Sequence, residues 1–159
     1  MTSPITRTLT VTCDPETAFR VFTREIGTWW PTQEHSLRPD AVAEIVWEER
    51  EGGKVLEVST DGTRAEWATV LTWQPPSRFV IAWHVNPERA GTEIDVRFSP
   101  VPGGTLVELE HRGFDRVTDG ADMREAYSQG WGVVLGRYAS ALPQPDDPGS
   151  GDATGTVVR

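Results

Sequence analysis

Hydrophobic residues recur along this chain at two different periods, and the switches between them mark out its parts. Ile5 to Thr12 alternates, with Ile5, Arg7, Leu9 and Val11 on one side and threonines on the other, which predicts a half-buried strand. Asp14-Pro15-Glu16 then reads as helix cap, first helical position and acidic first turn. Ala18, Phe19, Val21 and Phe22 supply the apolar face of that short helix. A second short helix is expected over Arg24 to Trp30, ended by Pro31, and Thr32 to Asp40 reads as a loop carrying His35.

From there the period is two. Ala41 to Arg50 alternates around Ala43, Ile45 and Trp47, Glu51-Gly52-Gly53 makes a turn, and Lys54 to Ser59 returns as its hairpin partner. Asp61-Gly62 leads into Arg64 to Gln74, closed by Pro75-Pro76, which cannot continue a central ladder. Arg78 to Val85, Thr92 to Ser99 and, after Pro102-Gly103-Gly104, Thr105 to Arg112 complete seven predicted strands.

The period then becomes helical over Asp119 to Leu142. Met123, Tyr127, Gly130, Val134, Tyr138 and Ala141 draw one apolar stripe, widened by Trp131, Leu135 and Leu142. Asp119 is placed to cap this helix and Pro143 to end it. Gly130 and Gly132 flank Trp131 mid-helix, where each costs about 1 kcal/mol relative to alanine. Close approach of another surface or of a ligand is the expected reason. Two short helices after the first strand and one long helix after the last predict an α+β fold, an antiparallel sheet with its helices on one face. Residues 1–142 read as a single domain, and 143–159, rich in Pro, Gly, Asp and Ser, as a disordered tail.

Charge and composition narrow the function. A net charge of −9 with no basic cluster argues against nucleic acid or an anionic membrane as partner. Cys13 is the lone cysteine, which excludes an intramolecular disulfide and reads as a small buried residue. No apolar run approaches a signal peptide or the roughly 18 residues of a membrane span, so a cytoplasmic protein is expected. No zinc spacing, phosphate loop, GxSxG elbow or pair of placed carboxylates is present, and neither metal nor cofactor is expected.

Tryptophan changes the picture most. There are seven in 159 residues, and because a buried indole N–H needs a partner, some are expected to line a cavity. In Thr105 to Arg112, His111 shares a face with Thr105, Val107 and Leu109 and should point toward the core, with Tyr127 and Trp131 as companions from the long helix. A histidine there serves either as a structural hydrogen-bonder or as a group that meets a ligand. Glu57 is expected to face solvent, since Leu56 and Val58 read as the inward residues of its strand; Glu44 is expected to be solvated too.

The order of elements and several local motifs resemble one family. The residues are Trp29-Trp30-Pro31 with His35-Ser36, Gly52-Gly53 with Glu57, Trp67 with Val70, Trp73-Gln74-Pro75-Pro76, Trp83, Gly103-Gly104-Thr105, Glu110-His111-Arg112-Gly113, and Gly130-Trp131 with Leu135. Across about residues 5 to 142 the chain is similar to the SRPBCC, or START-like helix-grip, superfamily, in its bacterial Hsp90-ATPase-activator-homologue-like branch. The resemblance implies a curved seven-stranded antiparallel sheet wrapped around a long C-terminal helix, with a cavity between them that takes apolar small molecules. The chain is expected to lack the additional domain with which a eukaryotic Hsp90 co-chaperone engages its partner.

Three functions remain open. The first is a non-enzymatic binding domain for a hydrophobic or aromatic small molecule, lined by Trp30, Trp47, Trp67, Trp83, His111, Tyr127 and Trp131. The second is a polyketide cyclase/dehydratase-like enzyme using His111 or Tyr127 as acid or base. The third is a protein that interacts with a chaperone or regulator. Monomer and homodimer are both compatible with the sequence.

Overall fold

The computed structural model describes residues 3–30, 42–83, 91–116 and 120–142. Seven strands make one sheet: β1 (Ile5–Val11), β2 (Val42–Trp47), β3 (Lys54–Ser59), β4 (Arg64–Gln74), β5 (Arg78–Trp83), β6 (Thr92–Val101) and β7 (Gly104–Arg112). Their order is β1-β7-β6-β5-β4-β3-β2, and every pairing is antiparallel. The β2–β3, β3–β4 and β4–β5 ladders each contain a register shift, whereas the β5–β6, β6–β7 and β7–β1 ladders run without one. Bulges increase local twist, so the sheet bends most in the half that carries β2 to β5. The curved sheet and its helices make the predicted α+β helix-grip architecture.

Among the described residues, two α-helices, α1 (Pro15–Phe22) and α2 (Gly120–Ala141), accompany the sheet. Asp14 caps α1 by accepting from the Thr17 amide at 2.8 Å, and Ala18, Phe19, Val21 and Phe22 are buried. In α2 the buried stripe is Trp131, Val134, Leu135, Tyr138 and Leu142; Tyr127 and Gly130 are half-buried and Ala141 is exposed. The Tyr138 hydroxyl donates to the Ala18 carbonyl at 2.8 Å and ties the helices together under the sheet. Arg7 of β1 reaches α2 as well, donating to the Ser128 carbonyl and hydroxyl at 2.9 and 2.8 Å.

Three expectations change. Arg24 to Trp30 holds only a 3-10 turn at Ile26–Thr28 in place of a second α-helix. Gly27 and Thr28 are both poor helix formers, and the short turn leaves Trp29 and Trp30 both buried, with ring centroids 5.9 Å apart. In β3 the inward residues are Val55, Glu57 and Ser59, while Leu56, though buried, lies outside the main core cluster. Glu57 is therefore inside, with 0% exposure, and does not face solvent. The β2–β3 register dictates this: Glu57 lies opposite Ile45 and Val55 opposite Trp47, so all four share the core face. Finally, Gly132 is exposed and a Cβ there would meet no atom of the described residues within 4 Å, so close packing among those residues does not account for it.

On the outer face Asp95, 4% exposed, accepts two hydrogen bonds from Arg78 and one from Arg112, with Arg97 3.6 Å away. Burial pushes its pKa up, but the hydrogen bonds from Arg78 and Arg112 outweigh this and hold the carboxyl below its usual range. Glu44 is exposed, as expected. Among the described residues, no helix is long and apolar enough to cross a membrane. The expectations for Pro31 and the His35 loop, for His84 and Val85, for the Asp119 cap, for Pro143 and for the 143–159 tail lie outside the described residues.

Candidate functional site

The inward face of the sheet carries buried polar side chains, Glu57, Thr92, Thr105 and His111, among its apolar ones. Along β7 the alternation Thr105, Val107, Leu109, His111 faces inward, and all four are buried. His111 ends this row, opposite Ile5 of β1 and Ile94 of β6, with α2 crossing over it. From α2 the Trp131 indole N–H donates to His111 Nδ1 at 3.0 Å. An indole can only donate, so Nδ1 must present its lone pair, and the neutral ring carries its proton on Nε2. Nε2 then donates to Thr92 Oγ1 at 2.6 Å. Complete burial lowers the pKa from 6.5 to about 3, which keeps the ring uncharged at neutral pH. Both nitrogens are thus engaged by the protein, and His111 ties β6, β7 and α2 to one another.

Contacts lead outward from His111 through the other aromatic rings. Its ring lies 4.8 Å from that of Tyr127, edge to face. The Tyr127 hydroxyl accepts from the Trp83 indole at 2.9 Å, and burial raises its pKa. Trp83 lies 5.8 Å from Trp67 and 5.9 Å from Trp30, and these two are 5.0 Å apart, a triangle of indoles. The Trp67 indole donates in turn to Glu57 Oε1 at 2.9 Å. Six of the predicted lining residues, Trp30, Trp67, Trp83, Tyr127, His111 and Trp131, therefore form one connected array across the inward face. The seventh stands apart. Trp47 packs against Phe79 at 5.0 Å and Trp73 at 6.3 Å, near Phe19.

Sequence reasoning missed two members of this array. Thr92 gave no signal, because a threonine that opens a strand is unremarkable in composition. Glu57 did leave one: the turn Glu51-Gly52-Gly53, centred on Gly52, sets residue 57 against residue 47, which reads as inward, and the observed pairing with Ile45 keeps it on that same face. Cys13 is half-buried, and burial pushes its thiol pKa up, so it lacks the thiolate character of a nucleophile. Among the described residues, no group of three His, Cys, Asp or Glu side chains is arranged to hold a metal ion.

The fold and its inward array can be set against known proteins. The family model for Activator of Hsp90 ATPase homolog 1-like protein matches residues 12–142. The chain belongs to that family. Among solved structures, this AHSA1-like chain is similar to the Aha1 dimer of Colwellia psychrerythraea, at 19% identity and a TM-score of 0.65, over 89% of this chain and 96% of that one. It is similar to the AHSA1-like protein of Aeromonas hydrophila, at 17% identity and a TM-score of 0.62, over 86% and 90% of the two chains. It also resembles the anthrahydroquino-γ-pyrone synthase Txn09, solved in complex with SUM, at 27% identity and a TM-score of 0.60, over 89% and 97%. No curated protein matches the AHSA1-like chain in sequence.

Proposed function

We propose that this AHSA1-like protein binds a hydrophobic or aromatic small molecule between the inward face of the sheet and α2. The observation that carries the reading is the connected array of Trp30, Trp67, Trp83, Tyr127, His111 and Trp131, with the buried carboxylate of Glu57 at its end. Indole faces supply apolar area at low entropic cost, and the few polar groups among them fix a ligand's orientation. Trp30, Trp67 and Trp83 are the walls, and Tyr127 is the orienting hydroxyl: it accepts from Trp83 and keeps its own proton to donate.

The test is a titration followed by intrinsic tryptophan fluorescence, with fatty acids, flavonoids and naphthalene-sized aromatics as ligands. One class is expected to quench saturably. Trp83→Ala withdraws on the order of 60 Å² of contact, about 1.5 kcal/mol, and should weaken that ligand roughly tenfold. If no compound quenches saturably while circular dichroism shows an intact fold, the reading is wrong.

The likeness to Txn09 favours a second reading, an enzyme that acts on such a ligand. In that case Tyr127 is the better proton donor of the two candidates, because His111 is uncharged and has both nitrogens engaged. Tyr127→Phe would then abolish turnover with binding kept, whereas a binder would lose only affinity.

A further inference from the structure

Two hydroxyls in the array have each used a lone pair and kept a proton. His111 Nε2 donates to Thr92 Oγ1 at 2.6 Å, and the Trp83 indole donates to the Tyr127 hydroxyl at 2.9 Å. Among the described residues, neither hydroxyl proton meets an acceptor. Thr92 is 3% exposed, and a buried donor left unpaired is costly. The β5–β6 register brings the two hydroxyls to one corner of the sheet. Thr92 is the cross-strand partner of Trp83, about 5 Å away on the same face, and Trp83 is the residue bonded to Tyr127. The His111 ring meets both, bonded to Thr92 and 4.8 Å from the Tyr127 ring.

The direction of the Thr92 bond is set one residue further back. A neutral imidazole has one N–H and one lone pair, and the Trp131 N–H, which can only donate, holds the lone pair at Nδ1. Nε2 must then donate, so Thr92 accepts and its own proton is left for another partner. With the other tautomer Nε2 would take that proton, and Thr92 would have none to offer. We propose that Trp131 is a positioning residue, acting through His111 to turn the Thr92 hydroxyl toward the ligand, and that Thr92 and Tyr127 together select an aromatic molecule bearing a ketone oxygen. The inference rests on the inward face being the ligand site. A ketone oxygen accepts through two lone pairs and brings no proton of its own, which matches two O–H donors.

The test uses 1-tetralone and tetralin, one scaffold with and without the oxygen. Each is titrated by equilibrium dialysis at pH 7 against wild type, Thr92→Val, Thr92→Ser, Tyr127→Phe and Trp131→Phe, with thermal melts to confirm folding. Comparing the two probes within each protein cancels any lost apolar contact. One O–H···O bond is worth a factor of about 3 to 10, so wild type should prefer the ketone by about 10-fold or more. Thr92→Val and Tyr127→Phe should each remove about 3- to 10-fold of that preference, and Thr92→Ser should keep it. Trp131→Phe frees Nδ1 to carry the proton and should lose as much as Thr92→Val. The infrared carbonyl band of tetralone bound to wild type should lie below its position in hexane, and should move back toward it in the three variants that lose the preference.

Equal wild-type affinity for the two probes, or a bound carbonyl band where hexane puts it, overturns the ketone selectivity and leaves the aromatic site standing. A preference unchanged in Thr92→Val, Tyr127→Phe or Trp131→Phe overturns the role of that residue. Magnetic resonance of the His111 ring nitrogens in wild type decides the positioning step even if Trp131→Phe does not fold: a proton on Nε2 supports it and a proton on Nδ1 overturns it. If wild type binds neither probe, the site and the inference fall together.

Discussion

Replacing His111 with glutamine isolates the energetic consequence of burying a neutral imidazole. The folded protein holds this ring uncharged, with its pKa lowered from 6.5 to about 3 by burial. Between those two values the unfolded chain binds the proton and the folded chain does not. The His111 contribution is therefore complete above about pH 6.5 and is lost progressively as pH falls toward 3. At pH 5.0 the loss comes to roughly 2 kcal/mol, and at its limit to about 5 kcal/mol, against the 5–15 kcal/mol that stabilises an ordinary domain. Glutamine can both donate and accept a hydrogen bond but does not titrate. Urea unfolding followed by tryptophan fluorescence at pH 7.5 and 5.0 should show wild type losing about 2 kcal/mol more than His111→Gln between the two conditions. Every other titrating group is common to both proteins and cancels in the comparison. Losses that agree within about 0.5 kcal/mol would refute the assignment of His111 as a neutral, fully desolvated ring.

Two further substitutions probe features outside the aromatic array. Gly132→Ala places a methyl in the middle of α2 where no atom of the described residues lies within 4 Å, and should stabilise the protein by about 1 kcal/mol, read as a higher urea midpoint. Destabilisation by the same amount would mean that this helix face is covered. Asp95→Ala removes the carboxylate that gathers Arg78, Arg97 and Arg112 and should cost about 2 kcal/mol in the same assay. A change below about 0.5 kcal/mol would show that the arginines re-pair with Glu93 and Glu110.

The parts of this fold that were legible in the sequence are those where periodicity is unambiguous. In β7 one phase carries Val107 and Leu109 and the other carries two glutamates beside Leu106, so Val107, Leu109 and His111 could be placed on the core face directly. Turns were equally plain: Gly52 and Gly103 take φ of +83° and +85°, a region few other residues enter without strain. In β3 both phases carry apolar residues, Val55 on one and Leu56 and Val58 on the other. Counting favours the wrong phase, and only the pairing with β2 decides it. Glu57, expected to face solvent, lies instead at the end of the indole array. The exposed glycine of α2 misled for a related reason. Its cost is visible in one dimension, while the neighbour that would explain it is a matter of three.

The strand order also governs when the protein can fold as it is made. From β2 through β7 each strand pairs with the one before it, so the sheet can grow as the chain emerges. Strand β1 is synthesised first and has its partner last, with Ile5 waiting for His111. At about 5–20 residues per second, that wait lasts roughly 5–20 s. Throughout it β1 has an unpaired backbone and three threonines on one side, while α1 can already lie on β5 and β6 through Phe19 and Phe22, which meet Phe79 and Phe98. Docking β1 fills the last gap beside β7 and brings Arg7 to Ser128, so the first segment made closes the structure.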